Sequence, residues 1–282
     1  MKNLTRFLNL LRPNQWIKNL LLLFPPFFGG KLFEPSTAAV ILPAFLSFSC
    51  AASCCYIAND IADREFDRLH PIKKNRAIAR GDVSIATASF FVLFLFLAAI
   101  VMAYAVSIHF EGFIIVYCLL TFGYTFYFKN IVIFDIFFIA FGFLLRVLAG
   151  GEAFHVVISS WLFLTVFMVA LFLAAGKRLG ELISQGENAG KQRRSLNRYS
   201  PSFLEGFLWS SAASSLVTYA LYVIENRQGM IYTVPLAAFG LFRYIYIVKE
   251  GKGDPTEALL MDGPIMGVGI IWAMMIGLII YG

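Results

Sequence analysis

Three aspartates, Asp60, Asp63 and Asp67, stand at spacings of three and four in the stretch YIANDIADREFDRLHPIKKNRAIARG, residues 56–81. On one continuous helix turning about 100 degrees per residue, their carboxylates share a face about 60 degrees wide. Like charges that close repel, and the face calls for a positive partner. Mg²⁺ suits it, because this ion takes few protein carboxylates and completes its shell with water and phosphate oxygens. Arg64 and Arg68 offer a second answer, i, i+4 pairing that makes a salt-bridged helix end at a membrane surface. Asn59, at the start of the polar element, can donate its amide to a phosphate or accept from a hydroxyl. Pro71 reads as a helix stop, with His70 extended before it. Beyond it Lys73, Lys74, Arg76 and Arg80 form a cationic rim that either anchors the loop or grips phosphates.

A second charged island begins in LFLAAGKRLGELISQGENAGKQRRSLNRYSP, where Lys177 and Glu181 are one helical turn apart and Arg178 reaches Glu181 at i, i+3. It reads either as a basic helix end placed for topology or as a phosphate grip, Lys177 and Arg178, oriented by Glu181. The tail from Gln185 to Ser200 reads as a solvated loop. Lys129 and Asp135 bracket the start of another apolar run and can pair locally. Arg146 falls about 16 Å deeper along the same run, a depth that demands an anion, a polar network or a water-filled cavity; Ala149, Gly150 and Gly151 beside it allow close packing. The segment LRPNQWIKN, residues 11–19, reads as an interfacial lead-in with Trp16 at headgroup level and Arg12 and Lys18 snorkelling. EGKGDPTEALLMDGP, residues 250–264, is acidic through Asp254, Glu257 and Asp262, and its glycines lack the strand–loop–helix setting of a nucleotide-binding loop.

What must position these residues is membrane-embedded helix. In 282 residues, 59% are hydrophobic, 14% are charged, and mean hydropathy is +0.75, outside the soluble norm. Apolar runs at about 19–31, 37–58, 84–107, 111–128, 131–150, 157–175, 206–224, 230–248 and 264–281 predict nine transmembrane helices, an all-α polytopic chain. Pro25, Pro26 and Gly29–Gly30 interrupt the first run, so a kinked or re-entrant element is its alternative. The runs 111–128 and 131–150 predict a tight antiparallel hairpin. No short apolar stretch with an Ala-x-Ala-like cleavage site is present, which argues against a cleaved signal peptide.

Lys2, Arg6, Arg12 and Lys18 precede the first run, and most other basic residues fall in the loops 59–83 and 176–205, against Lys31 and Arg227 on the opposite side. The bias predicts a multi-pass plasma (inner) membrane protein with a cytoplasmic N-terminus and charged loops and, with nine spans, an external C-terminus. The net charge of +6 follows from this topology and from attraction to anionic membrane lipid or substrate; no aromatic-basic module points to nucleic acid. Cys50, Cys54, Cys55 and Cys118 lie in apolar runs without a C-x-x-C pair and read as small hydrophobes. The composition also allows a homo-oligomer, since lipid-facing and subunit-facing helices look alike.

The string NDIADREFD resembles the N-D-x-x-D-x-x-x-D motif of the UbiA superfamily of intramembrane prenyltransferases. RPNQWIKN, HPIKKNRAIARG, YTFYFKNIVIFDIF, GFLLRVLAGG, LAAGKRLGEL and GKGDPTEALLMD are similar to the branch containing decaprenyl-phosphate phosphoribosyltransferases, and the likeness runs over essentially the whole chain. It implies a single domain, residues 1–282, folded as a nine-helix UbiA-like bundle around a central cavity. Ordinary members of the superfamily use two Asp-rich regions for Mg²⁺ and a prenyl diphosphate; here Lys177, Arg178 and Glu181 stand where the second would be. The branch takes phosphoribosyl pyrophosphate as donor and polyprenyl phosphate as acceptor.

Carried over, the resemblance has Asp60, Asp63 and Asp67 hold Mg²⁺ on the donor pyrophosphate, supported by Asn59. Lys18, Lys73, Arg76, Lys129, Arg146, Lys177 and Arg178 become phosphate contacts, and Tyr124, Asp135 and Glu181 orient hydroxyls or basic side chains. Ala77 stands where the branch commonly has Pro, which alters loop stiffness and removes no charged ligand. Two rivals share the acidic motif: transfer of a prenyl group from a prenyl diphosphate, and cation-coupled transport, against which the clustering of charge on one face and the lack of an inverted repeat argue.

Overall fold

The computed structural model describes residues 10–69, 73–186 and 195–282; Lys2, Arg6, His70, Pro71 and the middle of the 185–200 tail lie outside them. All regular elements among these residues are helical. A 3-10 helix (Pro13–Leu23) leads into α1 (Phe24–Phe28), followed by α2 (Pro35–Ala62), α3 (Arg64–Leu69), α4 (Ala77–Arg80), α5 (Ile85–Tyr104), α6 (Ile108–Phe126), α7 (Phe134–Ala153), α8 (Ser160–Gln185), α9 (Pro201–Asn226), α10 (Val234–Lys249), α11 (Pro255–Met261) and α12 (Gly263–Tyr281). Serine side chains start four of them: Ser84, Ser107, Ser159 and Ser200 accept from the amides of Thr87, Phe110, Leu162 and Phe203, taking up donors that a helix N-terminus leaves free.

Eight helices among the described residues are long and apolar enough to cross a membrane, one fewer than the nine apolar runs. The run at 19–31 is divided between the 3-10 helix and the five-residue α1, the kinked alternative. Pro25 and Pro26 lack the amides that an α-helix through them would use, and Gly30 turns the chain at φ 72°. The alternation that puts the C-terminus outside therefore rests on whether this broken segment counts as a span.

Two compact units make up the fold. The first comprises the chain up to Pro26, Lys31–Lys129 and Leu145–Val156. In it small residues let helices approach closely: Ala44, Ala51, Ala52 and Cys55 of α2 share a core with Ala99 and Ala103 of α5 and Ile114 and Cys118 of α6. Ser47 donates to the Ala99 carbonyl (3.1 Å) in the same seam. All four cysteines are free thiols, Cys50 half-buried and the others buried. The runs expected as a tight hairpin are joined through a 3-10 turn at Phe128–Asn130 and through Ile133 at φ 72°.

The second unit comprises Phe27–Gly30, Asn130–Leu144 and Val157–Gly282. Ala170, Leu171, Ala174 and Ala175 of α8 and Leu204, Leu208 and Ala212 of α9 form its core with Tyr244, Ile245 and Val248 of α10. α8 runs on past its apolar stretch, so that Lys177, Arg178 and Glu181 sit in regular helix.

Candidate functional site

In the first unit the acidic motif is not one helix. α2 ends at Ala62, Asp63 caps it with φ −94° and ψ 4°, and α3 starts at Arg64. The backbone ladder crosses the break, Asp63 N donating to Asn59 O (2.9 Å) and Asp67 N to Asp63 O (2.8 Å). The expectation of one continuous helix is thereby corrected. Asp60 closes the membrane helix, Asp63 occupies the bend and Asp67 rides on the short helix.

Each carboxylate receives a cation from another part of the unit. One nitrogen of Arg76, Nη1, donates to Asp60 Oδ1 (3.0 Å) and to Asp67 Oδ2 (2.7 Å). Arg12 donates to the same Asp60 oxygen and lies 5.3 Å from the Tyr56 ring centroid. Lys129 donates to Asp63, so the local pair with Asp135 is not formed. Arg64 and Arg68 turn to Glu65 and Arg68 also to the Ala79 carbonyl, so the salt-bridge reading is right in kind and wrong in partners. Burial pushes the Asp67 carboxyl above its ordinary pKa, against the lowering pull of Arg76.

This arrangement suits Mg²⁺ as a two-carboxylate site. Asp60 and Asp67 are buried hard oxygen donors sharing a single guanidinium nitrogen, which stands in for a cation between them. Asp63 is held by Lys129 as Asp60 and Asp67 are held by their arginines, and among the described residues no three His, Cys, Asp or Glu side chains are already grouped to hold a metal.

The remaining first-unit candidates lie around this centre or apart from it. Asn59 is half-buried and Tyr124, in the last turn of α6, likewise. Lys73 is half-buried in the 3-10 turn at Lys73–Asn75 and Lys74 is exposed, while Arg80 pairs with Asp82 at 3.2 Å. Lys18 donates to Gln15 on its own 3-10 helix (2.6 Å). That helix is tied to α2 by Trp16 Nε1 on Ser53 Oγ and Asn19 Nδ2 on Ser49 Oγ, both 3.0 Å.

Arg146 belongs to a buried network. Its Nε donates to Asn19 Oδ1 (2.8 Å), its Nη2 to Tyr117 OH (3.0 Å), and its guanidinium lies 4.7 Å from the Tyr117 ring centroid. A Cβ on Gly150 would come within 2.2 Å of the Leu22 carbonyl oxygen, so glycine is needed for this close approach of the 3-10 helix. An apolar recess of about 220 Å³, lined by Cys54, Ser89, Val92, Leu93, Phe96 and Phe122, has no charged lining and suits hydrocarbon.

In the second unit cation and carboxylate are both buried. Arg178 is buried, with Nε donating to Asp135 Oδ2 (2.9 Å) and Nη1 to Glu181 Oε2 (2.8 Å). Tyr199 OH donates to Asp135 Oδ1 (2.6 Å) and Ser195 Oγ to Oδ2 (3.3 Å). Tyr199 also accepts the amide of Ile133 (2.6 Å), a β-branched residue in left-handed backbone whose strain this bond helps to hold. Burial, and then the Asp135 bond, raises the Tyr199 phenol pKa. Ser195, Leu196 and Tyr199 are buried, which corrects the reading of the tail's end as solvated loop: Ser195 and Tyr199 complete the shell around Asp135. Lys177 does not take Glu181. It donates to Asp254 Oδ2 (2.7 Å) and keeps about a third of its side chain at the surface.

Sequence reasoning missed Arg12, Ser195, Tyr199 and Asp254. Arg12 had a signal in its neighbour Pro13, and Asp254 had one in the D-P pair that opens α11; neither signal names a partner.

The model of the UbiA prenyltransferase family matches residues 23–263. The decaprenyl-phosphate phosphoribosyltransferase of Corynebacterium glutamicum is 33% identical over 96% of this chain and 85% of its own length. The enzyme of the same name from Mycolicibacterium smegmatis is 33% identical over 96% of this chain and 91% of its own length. The solved structure of a UbiA homolog from Archaeoglobus fulgidus bound to GPP and Mg²⁺ superposes with a TM-score of 0.76 at 19% identity, over 98% of this chain and 99% of the other. This chain belongs to the UbiA prenyltransferase family.

Proposed function

We propose that this protein, acting as one Mg²⁺-dependent membrane domain over residues 1–282, transfers the 5-phosphoribosyl group of phosphoribosyl pyrophosphate to a polyprenyl phosphate and releases pyrophosphate. The observation that carries this reading is the second charged region. Where a prenyl-diphosphate enzyme places a second acidic cluster, this chain presents a half-exposed Lys177 beside a buried Asp135–Arg178 pair that Glu181 joins from the surface side. Such a group binds a phosphate directly. The names of the relatives at 33% identity support the same donor and acceptor.

Asp60 and Asp67, with Asp63 once Lys129 leaves it, would bind the cation that accompanies the donor's pyrophosphate. Bound there, Mg²⁺ supplies Lewis-acid stabilisation of the departing pyrophosphate. Arg12, Arg76 and Lys129, released from the carboxylates they hold, turn their donors to phosphate oxygens and offset the charge that grows as the C1–oxygen bond breaks. Asn59 supports the donor. Lys73 adds positive charge beside Asp67. Lys177 holds a phosphate that the metal does not reach. Arg178, fully engaged by two carboxylates, acts by fixing the helix turn on which Lys177 stands. The acceptor is already an anion, so no side chain need deprotonate it; alignment on the face of C1 opposite the leaving group and exclusion of water suffice. Lys18 and Tyr124 are assigned to sugar or phosphate contacts, and Arg146 to holding the 3-10 helix through Asn19. By the distribution of basic residues, the N-terminus and both charged regions face the cytoplasm of a plasma-membrane protein, with the C-terminus outside.

The test is label transfer by purified protein in detergent. Radiolabelled phosphoribosyl pyrophosphate with polyprenyl phosphate and Mg²⁺ is expected to give lipid-soluble label, lost in Asp60→Asn. No label in lipid, together with prenyl transfer from geranyl diphosphate to an acceptor, overturns the reading in favour of the prenyltransferase rival.

A further inference from the structure

The loop before α11 lies on α8 with almost no space between the backbones. A Cβ on Gly180 would stand 2.5 Å from both Gly253 Cα and Gly253 N, and a Cβ on Gly253 would stand 2.5 Å from the Gly176 carbonyl oxygen. A Cβ on Gly176 would strike the Tyr244 ring at 2.5 Å. Tyr244 in turn donates its hydroxyl to the Gly253 carbonyl (2.8 Å). The turn is entered through Gly251 at φ 82°. Close packing at Gly176, Gly180 and Gly253, the turn at Gly251 and the buried Tyr244 thus fix the strap 251–254 against the helix turn that carries Lys177.

The strap ends in a carboxylate with two tasks. Asp254 Oδ1 accepts from the amides of Thr256 (2.9 Å) and Glu257 (3.3 Å), which locks its rotamer, while Oδ2 accepts from Lys177 Nζ (2.7 Å). A lysine head on a four-carbon stem is otherwise free to sample many positions. Here its partner is anchored to backbone, and the pair remains at the surface, with side chains 34% and 28% exposed. An anion can reach the ammonium without displacing the strap.

We propose that Asp254 is a positioning residue, holding the Lys177 ammonium where it meets a substrate phosphate, and that the Gly251–Asp254 strap exists to fix that point. The proposal rests on the phosphate-binding role given to Lys177 above. It predicts that Asp254→Asn, which keeps an oxygen for the helix cap and loses the charge, raises the KM of phosphoribosyl pyrophosphate or of polyprenyl phosphate about tenfold, within what one charged hydrogen bond contributes. kcat and the thermal midpoint change little.

The decisive experiment is a double-mutant cycle in detergent-purified full-length protein, with KM measured for both substrates in wild type, Asp254→Asn, Lys177→Ala and the double variant. If Asp254 works through Lys177, adding Asp254→Asn to Lys177→Ala costs less than about a further twofold. Additive losses, an unchanged KM or a lowered KM overturn the proposal. Should Asp254→Asn fold poorly, Asp254→Ser, which also caps, replaces it in the same cycle. Should wild type use a prenyl diphosphate and refuse phosphoribosyl pyrophosphate, the functional reading fails by itself, and the cycle is run on the donor accepted, where the same criterion decides the role of Asp254.

Discussion

Around Asp60 and Asp67 the buried partners are the acids: their side chains are 6% and 5% exposed, while Arg12 and Arg76 keep 23% and 27% of theirs at the surface. Around Arg178 the burial is complete on both sides, 1% for the guanidinium and 0% for Asp135. In both regions these charges are paired, yet the regions are built for different ends. Half-exposed cations on buried carboxylates can leave for a stronger cation and an incoming phosphate at modest cost, since pairs reached by solvent contribute little. A fully buried Arg–Asp pair with added tyrosine and serine hydroxyls cannot exchange. It is a fixed platform, from which Lys177 alone of its basic pair projects far enough to meet a ligand.

This contrast can be broken most sharply at the acids. Asp60→Asn and Asp67→Asn are expected to lower transfer by on the order of 10²–10³-fold, without recovery at raised Mg²⁺ and with folding retained; label transfer across a Mg²⁺ series measures it. Next is the platform. Arg178→Met leaves Asp135 buried without its cation and should cost about 3–5 kcal/mol of stability, seen as a large fall in thermal midpoint before any kinetic effect. An Arg178→Met protein that melts like wild type with only a raised KM would make Arg178 a ligand and erase the contrast.

A smaller effect sharpens it. Arg12 competes with metal for Asp60, so Arg12→Gln should lower the Mg²⁺ concentration for half-maximal binding by about two- to fivefold, the range of a solvent-reached ion pair. Mn²⁺ binding followed by electron paramagnetic resonance reads this without turnover. The smallest effect belongs to a pair that contributes to neither region. Asp262 caps α12 through the Ile265 amide (3.0 Å) and takes Arg243 (2.9 Å), which holds its carboxyl below the ordinary pKa. Its contribution to stability is therefore present above the usual Asp pKa and is lost as pH falls through the lowered value. Asp262→Ala should cost about 1 kcal/mol through the cap and leave both KM values unchanged.

The membrane helices were legible because a run of some twenty apolar residues has few other readings, and eight appear where the runs lie. The first run is the exception: it is divided between the 3-10 helix and the five-residue α1, the kinked alternative, because hydropathy ignores the amides that Pro25 and Pro26 lack. Within the site, the residue types were legible and the pairings were not. Asp60 was singled out by its motif, but its partner Arg12 is 48 residues away in a segment that read as an interfacial lead-in. Lys177 was expected to take Glu181, one turn on; it takes Asp254, 77 residues away, because the glycine-packed strap brings that carboxylate to it. The break at Asp63 carries no Gly or Pro to announce it. Local spacing finds helix neighbours, whereas these contacts are set by tertiary packing.

The central claim is that the donor is phosphoribosyl pyrophosphate and the acceptor a lipid phosphate. Mass spectrometry of the lipid extract after incubating detergent-purified protein with Mg²⁺, phosphoribosyl pyrophosphate, polyprenyl phosphate and geranyl diphosphate together tests it most directly. The account predicts a polyprenyl phosphate heavier by one phosphoribosyl group, formed in step with released pyrophosphate and absent in Asp60→Asn. A geranylated product with phosphoribosyl pyrophosphate left intact would contradict it.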